Sequence, residues 1–240
     1  METVYFVLPA YNEEANISDV VKQWLSPVRK INAEGNRAYL MIANDGSKDQ
    51  TLKILNELAA ANPELIALDK PNSGHGSTLL HLYNTAIEKG ADYIFQTDSD
   101  GQTDPDEFWQ MWQNRHDYDF QIGSRKGRQD GASRVFVTKT LKAVVRLTFG
   151  VSVPDANTPF RLMSVTALKE ILPVIPKDYF LSNVAISAIA VKWEKRCRWY
   201  PITFKPRQGG VNSINLKRIM GIGRKAVGDF VRINRNLKNH

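Results

Sequence analysis

Tyr93-Ile94-Phe95-Gln96-Thr97-Asp98-Ser99-Asp100-Gly101-Gln102 decides how the rest of the chain is read. The apolar run predicts a short buried strand, and it stops in two carboxylates one residue apart. In open α/β sheets, ligands sit beyond the carboxyl ends of the strands. At such a place Asp98 and Asp100 offer hard oxygens to Mg2+ or Mn2+, which combine carboxylates with the oxygens of a bound phosphate. Asp and Gly are also ordinary turn residues that end strands. The neighbouring elements have to choose between the two readings.

Upstream, the same alternation repeats. Val4–Leu8 reads as a strand closed by Pro9, and residues 13–31 have helical spacing with Ile17, Val20, Val21, Trp24 and Leu25 on one face. Tyr39–Ala43 is a second strand, followed by a helix over Lys48–Ala61. Leu65–Leu68 is a third, followed by a helix over Ser77–Lys89. After the fourth strand, Tyr93–Thr97, a helix begins at Pro105 with Asp104 as its N-cap. Strands separated by helices of this length predict βαβ crossovers and a parallel sheet.

In such a sheet Pro9-Ala10-Tyr11-Asn12-Glu13, Asn44-Asp45-Gly46-Ser47, Asn72-Ser73-Gly74-His75-Gly76 and the acid pair converge on one edge. Gly74 and Gly76 permit close backbone approach, and a helix start nearby offers N–H groups to a phosphate. Neither G-x-G-x-x-G after the first strand nor the P-loop Lys-Ser/Thr is present, which argues against a dinucleotide enzyme or a P-loop ATPase.

Charge divides the chain. Residues 1–124 carry nine Lys/Arg against nineteen Asp/Glu, a net of −10, and residues 125–240 carry twenty-three against six, a net of +17. The basic half points to an anionic partner: nucleic acid, a membrane surface or a phosphorylated substrate. The lone Cys197 excludes an internal disulfide and fits a reducing compartment. Met1-Glu2-Thr3 leads straight into a strand, so no signal peptide is expected. No apolar run approaches the ~20 residues that span a bilayer. These features place the chain in the cytoplasm, with any membrane contact peripheral and at the inner face. His75, His81, His116 and His240 are too scattered for a zinc site.

The ordered set Pro9-Ala10-Tyr11-Asn12-Glu13, Asn44-Asp45-Gly46-Ser47 and Asp98-Ser99-Asp100 resembles the family 2 glycosyltransferases of GT-A fold, many of which have Asp where Asn44 stands. The resemblance covers residues 3–213. Asp100-Gly101-Gln102, Gly123-Ser124-Arg125, Asp155 through Phe160-Arg161, and Pro206-Arg207 through Asn212-Ser213 look most like the polyprenyl-phosphate branch, the dolichol-phosphate mannose synthase-like enzymes. That resemblance implies a Rossmann-like, mostly parallel sheet flanked by helices. It also implies inverting transfer of a sugar from a UDP- or GDP-sugar to a lipid phosphate, with a divalent metal. Carried onto matching positions, Pro9, Tyr11, Glu13, Asp45, Gly74, Asp98 and Ser99 would bind the donor. Asp100 and Gln102, with Asp98, would hold the metal. Arg125, Arg134, Thr138, Arg207 and Ser213 would take the acceptor phosphate, and Asp98, Asp100, Arg125 and Arg207 would be catalytic.

A hydroxyl acceptor needs a general base. Asn183 stands where many relatives have Glu and has no basic side chain, whereas a phosphate acceptor is already ionised. Asp155 and Asp178 stay open as bases, so a family 2 enzyme acting on a sugar hydroxyl of a polysaccharide or lipopolysaccharide is the alternative. A nucleic-acid-binding protein is a remote one, because no helix-turn-helix, RRM, KH or zinc-finger signature is present. Residues 1–213 then form the transferase domain, with a nucleotide-sugar half over 1–124 and an acceptor half over 125–213. Residues 214–240 form a basic amphipathic helical tail. In it Leu216, Ile219, Met220, Val227, Phe230, Val231 and Leu237 recur on a stripe, with Lys217, Arg218, Arg224, Lys225, Arg232, Arg235 and Lys238 on other faces, a pattern suited either to an anionic membrane surface or to packing against its own domain.

Overall fold

The computed structural model describes residues 1–125, 132–205 and 227–237, and of residues 132–139 the backbone alone. Chain order is β1 (Thr3–Ala10), α1 (Ile17–Ala33), β2 (Arg37–Asp45), α2 (Thr51–Ala61), β3 (Leu65–Lys70), α3 (His75–Glu88) and β4 (Tyr93–Gln96). A 3-10 turn, Pro105–Glu107, leads into α4 (Phe108–Gln113), then β5 (Phe120–Arg125), α5 (Ala132–Phe149), β6 (Arg161–Ser164) and α6 (Val165–Ile171). α7 (Ser182–Lys192) and β7 (Cys197–Ile202) follow, and a last helix, α8, covers residues 227–236.

The sheet order is β3-β2-β1-β4-β6-β5-β7. β1 runs parallel to β2 and β4, and β2 to β3, as the βαβ pattern predicts. β6 runs against both β4 and β5, while β5 and β7 are parallel. Side chains alternate across a strand, and β1 shows why its run is apolar throughout. Val4, Phe6 and Leu8 pack with α1 on one face, and Tyr5 and Val7 pack with α3 and α7 on the other. Both faces are covered, as in α/β folds generally. The first face is aromatic: Phe95 lies 4.8 Å, centroid to centroid, from both Phe108 and Phe160, and 5.3 Å from Trp24.

Helix starts differ from the periodicity. α1 begins at Ile17 because residues 12–14 are drawn into a loop: Asn12 has φ +53°, and the Glu13 N–H donates to Thr51 Oγ1 at 2.9 Å. α2 begins at Thr51 because Asp49 Oδ1 accepts from both the Thr51 N–H and its hydroxyl. At the Pro105 turn the expected cap is present, with the Asp106 N–H donating to Asp104. α5 was not expected. One reason is Leu147, which is 84% exposed and breaks the apolar stripe of that helix.

Of the two readings of the tail, the described part shows packing against the domain. Residues 216–226 lie outside the described residues. Within α8 and the residue after it, Phe230, Ile233 and Leu237 are buried in the same core as α3 and α7, so Phe230 and Leu237 are not a membrane stripe. Phe230 lies edge-on to Phe149 at 5.4 Å and 6.1 Å from Tyr179, and Asn234 donates to Thr148 O at 2.7 Å. Val227 and Val231 remain exposed. Phe230→Ala is therefore expected to destabilise the fold by about 3 kcal/mol. Urea denaturation checks it, and an unchanged midpoint would mean that α8 is not part of the folded core.

Candidate active site

Four loops follow the carboxyl ends of β1, β2, β3 and β4, and hydrogen bonds tie them into a closed ring. The first joins the second through the Asn12 N–H to Ser47 Oγ (3.0 Å) and the Lys48 N–H to Asn12 Oδ1 (2.9 Å). The second joins the third through Asp45, whose carboxylate accepts from the Ser73 and Gly74 N–H groups at 2.8 and 2.9 Å. The third reaches the fourth through His75 Nε2, 2.9 Å from Asp98 Oδ1. The fourth returns to the first through Ser99 Oγ, which donates to Pro9 O at 2.8 Å.

Asp45 is buried and paired with Lys70 Nζ at 2.5 Å. Burial pushes its pKa up, but the Lys70 ammonium, the Ser73 N–H and the Thr78 hydroxyl outweigh that and lower it. Lys70 also donates to Pro71 O and Ser73 Oγ. Asp45 thus serves first to fold the third loop, and a donor would meet a carboxylate whose two oxygens already accept from the protein. Gly76, in the first turn of α3, packs on the segment entering α7. A Cβ there would lie 2.4 Å from both Tyr179 O and Phe180 O.

The acid loop lies at the open edge. Tyr11 is 45% exposed at its rim, while Glu13 is buried and accepts from Asn16 Nδ2 at 2.9 Å. The His75 side chain is half exposed. Partial burial works against its charge, yet Asp98, then Asp100 and Asp45, raise its pKa. The Gln102 N–H donates to Asp100 Oδ1 at 3.2 Å, and Gln102 Nε2 donates to Lys205 O at 2.7 Å. The Lys205 N–H donates back to Gln102 O at 2.8 Å, and Lys205 Nζ pairs with Asp104 at 3.0 Å. The chain leaving β7 is thereby anchored on the acid loop, immediately before Pro206 and Arg207. Asp98, Asp100 and the Gln102 amide carry oxygens of the type that suits Mg2+ or Mn2+. Among the described residues no three His, Cys, Asp or Glu side chains form a cage by themselves. An ion here would draw the rest of its shell from water or ligand oxygens.

The expected acceptor side is only partly in view. Arg125 is not a free guanidinium: its Nε and Nη2 donate to the two oxygens of Asp155, each at 2.8 Å, and both side chains are about nine-tenths buried. Sequence proximity does not reveal this pair, which is thirty residues apart. It also removes Asp155 as a ready base. Asn183 is buried, with the Tyr83 hydroxyl between its Oδ1 (3.4 Å) and Gln96 Oε1. Asp178 is exposed. Arg207 and Ser213, and the side chains of Arg134 and Thr138, lie outside the described residues. Lys70 was missed as a site builder, its one signal being its place just before Asn72-Ser73-Gly74; His75 was read within that loop but not as a partner of Asp98.

Against known proteins, the sequence matches the model of glycosyl transferase family 2 over residues 5–172. The chain belongs to glycosyl transferase family 2. Among its curated relatives is the UDP-N-acetylglucosamine–dolichyl-phosphate N-acetylglucosaminyltransferase of Methanococcus voltae, 30% identical over 186 residues, 69% of this chain and 71% of that protein. The undecaprenyl-phosphate 4-deoxy-4-formamido-L-arabinose transferase of Pectobacterium atrosepticum is 29% identical over 165 residues, 67% of this chain. The alignment spans about half (48%) of that protein's length. The polyprenol monophosphomannose synthase of Mycolicibacterium smegmatis is 23% identical over 218 residues, 87% of this chain and 80% of that protein. Within family 2, then, this chain resembles the polyprenyl-phosphate sugar transferases. The fold of the family 2 chain is shared with Mycobacterium tuberculosis glucosyl-3-phosphoglycerate synthase, solved with Mn2+ and UDP-glucose. The TM-score is 0.65 at 17% identity, covering 97% of this chain and 79% of that one.

Asp45→Asn leaves the Lys70 ammonium buried without its counter-charge, and is expected to destabilise the protein by about 3 kcal/mol. Because the folded pKa of Asp45 is depressed, its contribution is present above the unfolded value of about 3.9 and is lost as pH falls through the folded one. Thermal unfolding between pH 7 and pH 2.5 should show a steeper acid limb for the wild type than for the variant. Parallel acid limbs would rule Asp45 out as a source of that loss.

Proposed function

We propose that this family 2 chain catalyses inverting transfer of a sugar from a UDP- or GDP-sugar to a polyprenyl phosphate. The observation that carries the reading is the acid loop, closed into a ring with three other strand-end loops and bonded through Gln102 to the chain leaving β7 at Lys205. It is supported by the relatives, several of which are named as polyprenyl-phosphate sugar transferases.

The donor would lie across the ring. Its base and ribose would be met by Tyr11, Glu13, Asp45 and the Pro9 backbone, with Gly74 and Ser99 beside the diphosphate. Asp98, Asp100 and Gln102 would hold Mg2+ or Mn2+, which when bound neutralises the charge left on the departing nucleoside diphosphate. The acceptor phosphate attacks the sugar from the opposite side, so the configuration inverts. It is ionised before it arrives, and no residue has to take a proton. The buried neutral Asn183 and the Arg125-bound Asp155 agree with that economy. Arg207, Ser213, Arg134 and Thr138 would meet the acceptor, and Arg125 would act as the arginine of a fixed pair.

Among the described residues no helix is long and apolar enough to cross a membrane. Contact with the cytoplasmic leaflet would then be peripheral. Leu147 on α5 and Val227 and Val231 on α8 are exposed apolar groups beside Arg146 and Arg232, a combination suited to anionic lipid.

Two measurements test the reading. Calorimetry with UDP and GDP, with and without Mn2+, should show metal-dependent binding that Asp100→Asn abolishes while the thermal midpoint stays put. Radiolabelled donor sugar should appear in a lipid-extractable, acid-labile product. Unchanged nucleotide affinity on chelation would remove the metal site. Label found only in a sugar-hydroxyl product would move the acceptor to a polysaccharide.

A further inference from the structure

Beneath the end of β4 lies a charge that nothing on the acceptor side explains. Arg161 is fully buried, and its register partner across the antiparallel ladder is Gln96, two residues before Asp98. Its guanidinium donates to Thr158 O (Nε 3.2 Å, Nη2 2.7 Å), Ala156 O (3.3 Å), Asn183 O (3.2 Å) and Ser187 Oγ (3.4 Å). Every one of these acceptors is neutral. The adjoining side chains Gln96, Tyr83 and Asn183 are neutral too, and burial raises the Tyr83 pKa, so that its hydroxyl keeps its proton. Arginine does not lose its charge in a protein.

Carboxylates do reach Arg161 through space, but none among the described residues hydrogen-bonds it. Asp155 is one, and its two oxygens already hold Arg125. Asp98, in the loop after β4, is the other. A buried charge that no carboxylate hydrogen-bonds is only partly offset, and the low dielectric around it carries its field further than water would. Asn183 maintains this imbalance. An aspartate there, nearly the same in shape, would put a carboxylate into the same network and cancel the charge.

We propose that Arg161 is a specificity-determining charge: beside the end of β4 it supplies a positive field that no hydrogen-bonded carboxylate offsets, and that field draws a phosphate group of the substrates to the strand ends. It acts without touching the substrate. The inference rests on the phosphate-bearing donor and acceptor proposed above, and goes beyond them in naming what makes the strand ends favour an anion. Donor diphosphate and acceptor phosphate share that chemistry, so the test separates them.

Removing Arg161 directly risks the fold, so the comparison is between Asn183→Asp, which adds a neutralising charge, and Asn183→Ala, which does not. Affinities for UDP with Mn2+, farnesyl phosphate and uncharged farnesol would be measured beside the thermal midpoint. Asn183→Asp should weaken farnesyl phosphate or UDP at least tenfold, leave farnesol within threefold, and keep the midpoint within a few degrees; Asn183→Ala should stay within threefold throughout. The arm that falls identifies the phosphate concerned. Both phosphate affinities retained in Asn183→Asp would overturn the proposal, and so would a parallel loss of farnesol binding and thermal midpoint. A wild-type protein that binds UDP but never farnesyl phosphate would defeat the lipid-phosphate reading, while the UDP arm still decides the role of Arg161.

Discussion

A single buried carboxylate holds the site in shape. Asp45 ends β2, and its oxygens take the Lys70 ammonium and two backbone N–H groups of the loop after β3. Without those bonds the loop has no reason to turn where it does, α3 has no fixed start, and His75 has no fixed approach to Asp98. The ion pair is well satisfied and mostly shielded from water, the condition under which such a pair stabilises a fold. Its effect is geometric as much as energetic, since it sets where the third and fourth loops meet.

The two halves of the chain are joined more intimately than their opposite charges require. Gln102 and Lys205, 103 residues apart, exchange two hydrogen bonds. Glu107 accepts from the Thr203 N–H, and Lys205 pairs with Asp104. The acidic half therefore holds the chain leaving β7 by its backbone, and net attraction alone does not set that register. Screening by salt weakens exposed charge pairs such as Lys205–Asp104 but leaves backbone bonds largely intact.

The parallel part of the sheet was legible because β1, β2 and β4 are buried on both faces and read as unbroken apolar runs. The acid loop was legible because Asp98 and Asp100 fall immediately beyond such a run. Other features depended on distant partners. Asn12 and Asp49 divert residues with helical spacing into loops, and they do so through bonds to residues about thirty-five positions away or to their own neighbours. β6 is too short to announce its direction, and Arg161 looks like any charged residue ending a motif until its burial is seen. Arg125 showed the opposite error: an arginine beside Gly and Ser looked available, and Asp155 holds it. In α8 and the residue after it, Phe230 and Leu237 face the protein's own core while Val227 and Val231 are exposed, a division that only the packing reveals.

The ring of loops has a topological consequence. A chain of contacts falls apart into two pieces when one link is cut, whereas a ring stays connected. Losing Ser99–Pro9, or His75–Asp98, leaves all four loops joined through the remaining three links. Side chains at the ring's open edge can therefore be exchanged one loop at a time without scattering the others. An architecture of this kind lets ligand preference drift while the frame around it persists.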